Sequence, residues 1–192
     1  MPARTRKATA PNPPAYTVPG LETDDAAEEI ATLQDRLNAL SDLALTLKHV
    51  HWNVVGPHFI AVHEMLDPQV DAVRLMVDQT AERISTLGGS PLGTPGALVA
   101  GRSWEDYSLV RADTQEHLGA LDVVFGGIIE SHRAAVEKVG DVDPVTEDML
   151  IGQLTQLEKF QWFIRAHLES SGGTLSTANA TTEKEGARSA RR

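Results

Sequence analysis

The sequence predicts an all-α protein built as a bundle of four long helices. Apolar side chains return every three or four positions through four extended stretches, the period of a helix with one buried face. Glycine and proline gather mostly between those stretches, and aromatic residues make up only 5% of the chain. A length of 192 residues with 41% apolar composition is enough for one well-buried domain, and no internal repeat divides it.

Residues 1–20 are rich in Pro, Ala and Thr, lack apolar periodicity and carry Arg4, Arg6 and Lys7, so they read as a disordered basic arm. The bundle takes residues 21–173. In its first helix Thr23 is a cap, Asp24 and Asp25 favour the positive end, and Ile30, Leu33, Leu37, Leu40, Ala44 and Leu47 form the core stripe. Gly56 and Pro57 close it. The second helix runs from about Phe59 to Leu87 and stops at Gly88-Gly89. Pro68 lies inside it and demands either a start near Ala61 or a bend.

The connection that follows passes through Ser90, Pro91, Thr94, Pro95 and Gly96, with room for one short helix near Ala97. At about fifteen residues or more it suits a crossover to the far corner of the bundle rather than a hairpin. The third helix is expected from about Trp104 or Leu109 to Val139, entered through Ser103 and Asp106, with Val110, Leu121, Phe125, Ile128 and Val136 inward. Asp143-Pro144 is a cap and first-turn pair for the fourth, whose inward side holds Leu150, Leu154, Leu157, Phe160, Ile164 and Leu168 as far as Gly172-Gly173. Residues 174–192 lose the periodicity and form a polar, basic C-terminal tail.

Charge is unevenly spread. Removing +3 for the first twenty residues and +2 for residues 181–192 from the total of −10 leaves −15 on the body. An acidic body attracts cations and repels nucleic acid, whereas basic ends can hold phosphates. No stretch is long and apolar enough to span a membrane, and the N-terminus has no apolar core of a leader, so a cytoplasmic protein is expected. Without cysteine the chain offers neither disulfides nor thiolate ligands.

Within the second helix His63, Asp67, Asp71, Arg74, Asp78 and Glu82 stand at spacings of four, four, three, four and four, a series that reads the same from either end. At about 100° per residue they share one arc of the helix, beside an apolar arc of Val62, Leu66, Val70, Val73, Val77 and Ile84. Two copies laid antiparallel across a two-fold axis would bring His63 to the partner's Glu82, Asp67 to the partner's Asp78, and Asp71 to the partner's Arg74. In one chain His63 and Glu82 lie about 28 Å apart along the axis and cannot share a metal. Across the dyad they can, and a set of imidazole and carboxylate without thiolate suits iron, manganese or zinc. A solvated helix face has no reason to be self-complementary about a point.

The segment also resembles a known family. His51-Trp52-Asn53, Phe59, Ile60, His63-Glu64, Asp67, Asp78, Ala81-Glu82-Arg83 and Leu87-Gly88-Gly89, with Glu158-Lys159-Phe160-Gln161-Trp162-Phe163 on the last helix, are similar to the Dps family of ferritin-like mini-ferritins. The resemblance covers about residues 20 to 173. It implies a ferritin-like four-helix bundle and a ferroxidase centre of His51, His63 and Asp67 from one subunit with Asp78 and Glu82 from its two-fold mate. It further implies a hollow homododecamer that binds Fe(II) at two-iron sites, oxidises it with hydrogen peroxide and stores the Fe(III) as mineral. Trp52 beside that centre is either packing or a shield that traps a stray radical electron. Asp141, Asp143 and Asp148 are, by the resemblance, candidates for pores that admit iron, against the plainer reading of acids at a helix start. Ordinary ferritins use Glu-x-x-His within one bundle, and no Glu here has His three residues on.

Binding of double-stranded DNA in the family depends on basic tails. Arg4, Arg6, Lys7, Lys184, Arg188, Arg191 and Arg192 are the candidates here, for non-specific phosphate contacts that would associate the protein with the nucleoid. The competing reading is a DNA-compacting structural protein whose metal site is vestigial.

Overall fold

The computed structural model describes residues 13–191, and the four predicted long helices all form. They are α1 (Thr23–Asn53), α2 (Phe59–Thr86), α4 (Thr114–Gly140) and α5 (Pro144–Leu168); α3 (Pro95–Gly101) is the short helix of the crossover, capped by the Thr94 hydroxyl. α1 packs along α2, α4 along α5, and α1 meets α4. The core between them is the stripe the periodicity marks. It contains Leu40, Leu43 and Leu47 of α1, Leu66, Val70 and Val73 of α2, Leu121 and Phe125 of α4, and Leu157, Phe160 and Ile164 of α5. Burying each such side chain contributes about 1.5–3 kcal/mol. A smaller cluster of Leu33, Leu37, Ile84, Leu87, Val139 and Leu150 closes the other end.

Both ends of α2 are decided locally. Its C-terminus is a Schellman motif, with Gly88 at φ 87°, the Gly89 N–H donating to the Ile84 carbonyl and the Gly88 N–H to the Ser85 carbonyl. Its N-terminus follows a sharp reversal in which Gly56 has φ 92° and His58, a non-glycine residue, has φ 64°. Because α2 begins at Phe59 and not near Ala61, Pro68 stands in the helix interior. It is exposed, so the Glu64 carbonyl that loses its partner there can turn to water.

Several expectations need correction. Thr23 does not cap α1: it is the first helical residue, and Glu22 at the cap position makes no side-chain bond. α4 starts at Thr114, later than Trp104 or Leu109, because Asp113 and Glu116 form a reciprocal capping box there. Asp106 pairs with Arg102 instead of capping a helix, and Val110, expected in the core, is 69% exposed. Trp104 turns back to donate its indole N–H to Asp42 at 2.7 Å, and Tyr107 reaches His117.

The two ends of the chain are more engaged than their composition implies. Residues 13–20, assigned to the disordered arm, lie on the bundle: Tyr16 crosses Gly88, and Val18 and Leu21 pack on the smaller cluster. The remainder of the arm, with Arg4, Arg6 and Lys7, is outside the described residues. In the C-terminal tail α6 (Glu183–Ala190) opens on a capping box of Thr182 and Glu185 and lies along α4, where Gly186 meets Gly119. A two-residue parallel pairing, β1 (Val54–Val55) with β2 (Ala112–Asp113), ties the end of α1 to the start of α4.

Candidate metal centre

His51 occupies the last turn of α1 and His63 the second turn of α2; the reversal at residues 54–58 folds one back over the other. Their rings stack with centroids 3.6 Å apart. Each ring is held by the other residue's backbone: His51 Nδ1 lies 3.0 Å from the His63 carbonyl oxygen and His63 Nδ1 lies 2.9 Å from that of His51. Because a carbonyl only accepts, both Nδ1 atoms carry hydrogen, and Nε2 is the lone pair of the ring whenever the ring is uncharged. This reciprocal lock is the arrangement that orients histidine as a metal ligand.

One turn further along α2, Asp67 brings Oδ1 to 3.3 Å from His51 Nδ1. Lys48, three residues before His51 on α1, donates to the same oxygen at 2.7 Å. That hydrogen bond holds the Asp67 carboxyl below its ordinary range and keeps it an anion. Lys48 was not singled out by the sequence, although its three-residue offset from His51 places both on one helix face. Phe59 also touches the site, its ring 5.0 Å from that of His63.

The structure thus gathers His51, His63 and Asp67, and it does not bring Asp78 or Glu82 to them. Those two, with Asp71 and Arg74, lie exposed further along α2, and Glu82 stands about 28 Å from His63 along the axis. Among the described residues no three metal-ligating groups converge within the chain. Trp52, next to His51 in sequence, is 71% exposed and faces away from the bundle, as do Leu45, Ile60 and Leu75. His51, His63 and Asp67 lie beside an uncovered apolar and acidic face of α1 and α2.

The other candidates separate by exposure. Asp141 and Asp148 are exposed, but Asp143 is buried. It accepts from Arg83 and Thr146 and caps the Val145 N–H, so it is a structural anchor and not a group free to line a pore. Burial pushes its carboxyl up, but the bonds from Thr146 and Arg83 outweigh this and leave it below the usual range. Lys184 and Arg188 are exposed on α6, Arg191 pairs with Glu116, and Arg192 is outside the described residues.

Residues 30–171 match the Ferritin-like domain. A "DNA protection during starvation protein" from Mycolicibacterium smegmatis is 55% identical over 178 residues, covering 93% of this chain and 97% of that one. The chain belongs to the Dps family. A solved structure, "DpsA14 from Streptomyces coelicolor", superposes with a TM-score of 0.86 at 67% identity, covering 88% of this chain and all of the other. A "Fine tangled pili major subunit" from Haemophilus ducreyi is 51% identical over 160 residues, covering 83% of this chain and 85% of that one. The ferritin-like bundle anticipated from the sequence is therefore the fold of this Dps protein, and among its described residues no helix is long and apolar enough to cross a membrane.

Proposed function

We propose that this Dps protein is a ferroxidase and iron store whose catalytic centre is completed between two subunits. In this reading His51, His63 and Asp67 of one subunit, with Asp78 and Glu82 of its two-fold mate, bind ferrous ions as substrate. The observation that carries it is the reciprocal histidine lock beside Asp67, two imidazoles and a carboxylate that close no site among the described residues of the chain and lack a further wall. The palindrome on α2 supplies that wall from an antiparallel mate, and the exposed Leu45, Trp52, Ile60 and Leu75 supply apolar surface for the contact. Two ferrous ions each give one electron to hydrogen peroxide; the O–O bond breaks and two protons complete two waters. Holding both ions at one centre makes this a two-electron step and avoids a free hydroxyl radical.

Family membership supports the rest of the proposal: a hollow homododecamer built from such dimers, a ferric mineral inside, iron entry past Asp141 and Asp148, and protection of DNA in the cytoplasm. Trp52, exposed beside His51, is in this reading a shield at the centre. Non-specific DNA contact falls to the basic ends, Arg4, Arg6 and Lys7 on one side and Lys184, Arg188 and Arg192 on the other. Replacing His63 and Glu82 together by Ala tests the centre. Peroxide-dependent Fe(II) oxidation should drop to the rate of iron in buffer while the native particle mass is unchanged; an undiminished rate in an intact particle would refute the proposal.

A further inference from the structure

A cavity of about 580 Å³ opens between α1, α4, the 103–108 segment and residues 181–184 of the C-terminal tail. Its volume falls in the range of small-molecule sites. The walls are mainly apolar, with Val123, Val124 and Ile128 of α4 facing Trp104 and Tyr107.

Two features distinguish it from a packing gap. The first is Arg36, which lines the cavity and is only 8% exposed. Among the described residues its guanidinium has a single hydrogen bond, from Nη1 to the Ser131 hydroxyl at 2.6 Å, and no carboxylate within ion-pair distance. A buried guanidinium carries five N–H donors and a full charge, and it is costly to leave without an anion. Of the acids at the rim, Asp42 and Asp106 are engaged by Arg102, Asp42 also by Trp104, and Glu183 by the Ser108 N–H; exposed Glu105 and Lys184 complete the rim with one charge of each sign. The nearby His132 adds no second positive charge, because burial, reinforced by Arg36, lowers its pKa to about 4 and leaves it neutral at pH 7.

The second feature is Gly127, in the middle of α4. A Cβ added there would meet nothing within 4 Å, so no neighbour requires a glycine. In a helix interior it costs about 1 kcal/mol relative to alanine. Its effect is to leave open the wall to which it belongs. We infer that this cavity is a binding site for a small organic anion with an apolar body, an aromatic or alicyclic carboxylate, whose charge is met by Arg36 and whose ring lies between Trp104 and the valines of α4.

Calorimetric titration of the assembled, iron-free protein with 2-naphthoate and with its neutral isostere 2-naphthamide tests this. The expected result is one naphthoate site per chain, with naphthamide weaker by about tenfold or more, the ratio expected for loss of a charge-assisted hydrogen bond. Arg36→Gln should remove that preference. Gly127→Leu narrows the cavity without touching backbone and adds helix propensity, so it should fold and bind both compounds more weakly. Absence of saturable naphthoate binding, equal affinity for the two compounds in the wild-type protein, or undiminished binding by Gly127→Leu would each overturn the inference.

Discussion

Glu29 is a buried acid left without support: it is 3% exposed, and neither carboxylate oxygen has a hydrogen-bond partner. Burial, with Asp143 close by, raises its pKa from 4.5 to about 7, while Thr146 and Arg83 pull the other way. The folded protein therefore holds this proton more tightly than the unfolded chain does. Stability from this residue is complete below pH 4.5 and is lost as the pH rises through about 7. Glu29→Gln should flatten that part of the profile, so that thermal melts at pH 8 show the variant above the wild type by several degrees and melts at pH 4.5 do not. Coincident profiles would refute it. Arg83 beside it is the counter-charge of buried Asp143. Arg83→Met strands that carboxylate and should cost about 3 kcal/mol, read as a fall in melting temperature at pH 7.

At the scale of elements, the C-terminal helix is attached by a contact between two glycines. A Cβ on Gly186 would run into the Gly119 backbone, and one on Gly119 into that of Gly186. Gly186→Val should lift α6 off α4, and an eight-residue helix without tertiary support melts. Hydrogen exchange over residues 183–190 should accelerate while α1 to α5 remain protected. If the basic end contacts DNA, release of Arg191 from Glu116 should also strengthen retardation of DNA at low salt.

The four long helices were legible because each buries a continuous stripe, and Leu150 through Leu168 on α5 lie inward as their spacing requires. The start of α4 was misread. Ser103 and Asp106 look as much like a cap as Asp113 and Glu116 do, and only the pairing of Asp106 with Arg102 and of Trp104 with Asp42 decides between them. α6 was missed although Thr182-x-x-Glu185 is a capping box, because its apolar content is too low to show a period. The α2 half of the candidate site was written in i, i+4 spacing. The stacking of His51 on His63 was not, since it depends on the left-handed backbone at Gly56 and His58.

For the whole molecule, the uncovered face of α1 and α2 predicts that assembly and iron binding are one equilibrium. Lowering subunit concentration until native mass spectrometry shows monomers should abolish the tight class of Fe(II) sites, because a lone chain offers two imidazoles and one carboxylate. Monomers that retain it would remove the case for a shared centre. Deleting residues 1–15 and 181–192 should weaken DNA retardation and leave iron oxidation unchanged. The contiguity of the α1–α2 hairpin also has a consequence in time. All five proposed donors are synthesised before the crossover, the last at Glu82, and the histidine lock joins residues only twelve apart. A chain still leaving the ribosome can form that clasp early. On the proposed reading the acids needed from a mate lie at the far end of the same helix, so such a chain closes no cage of donors around ferrous ions before a second subunit arrives.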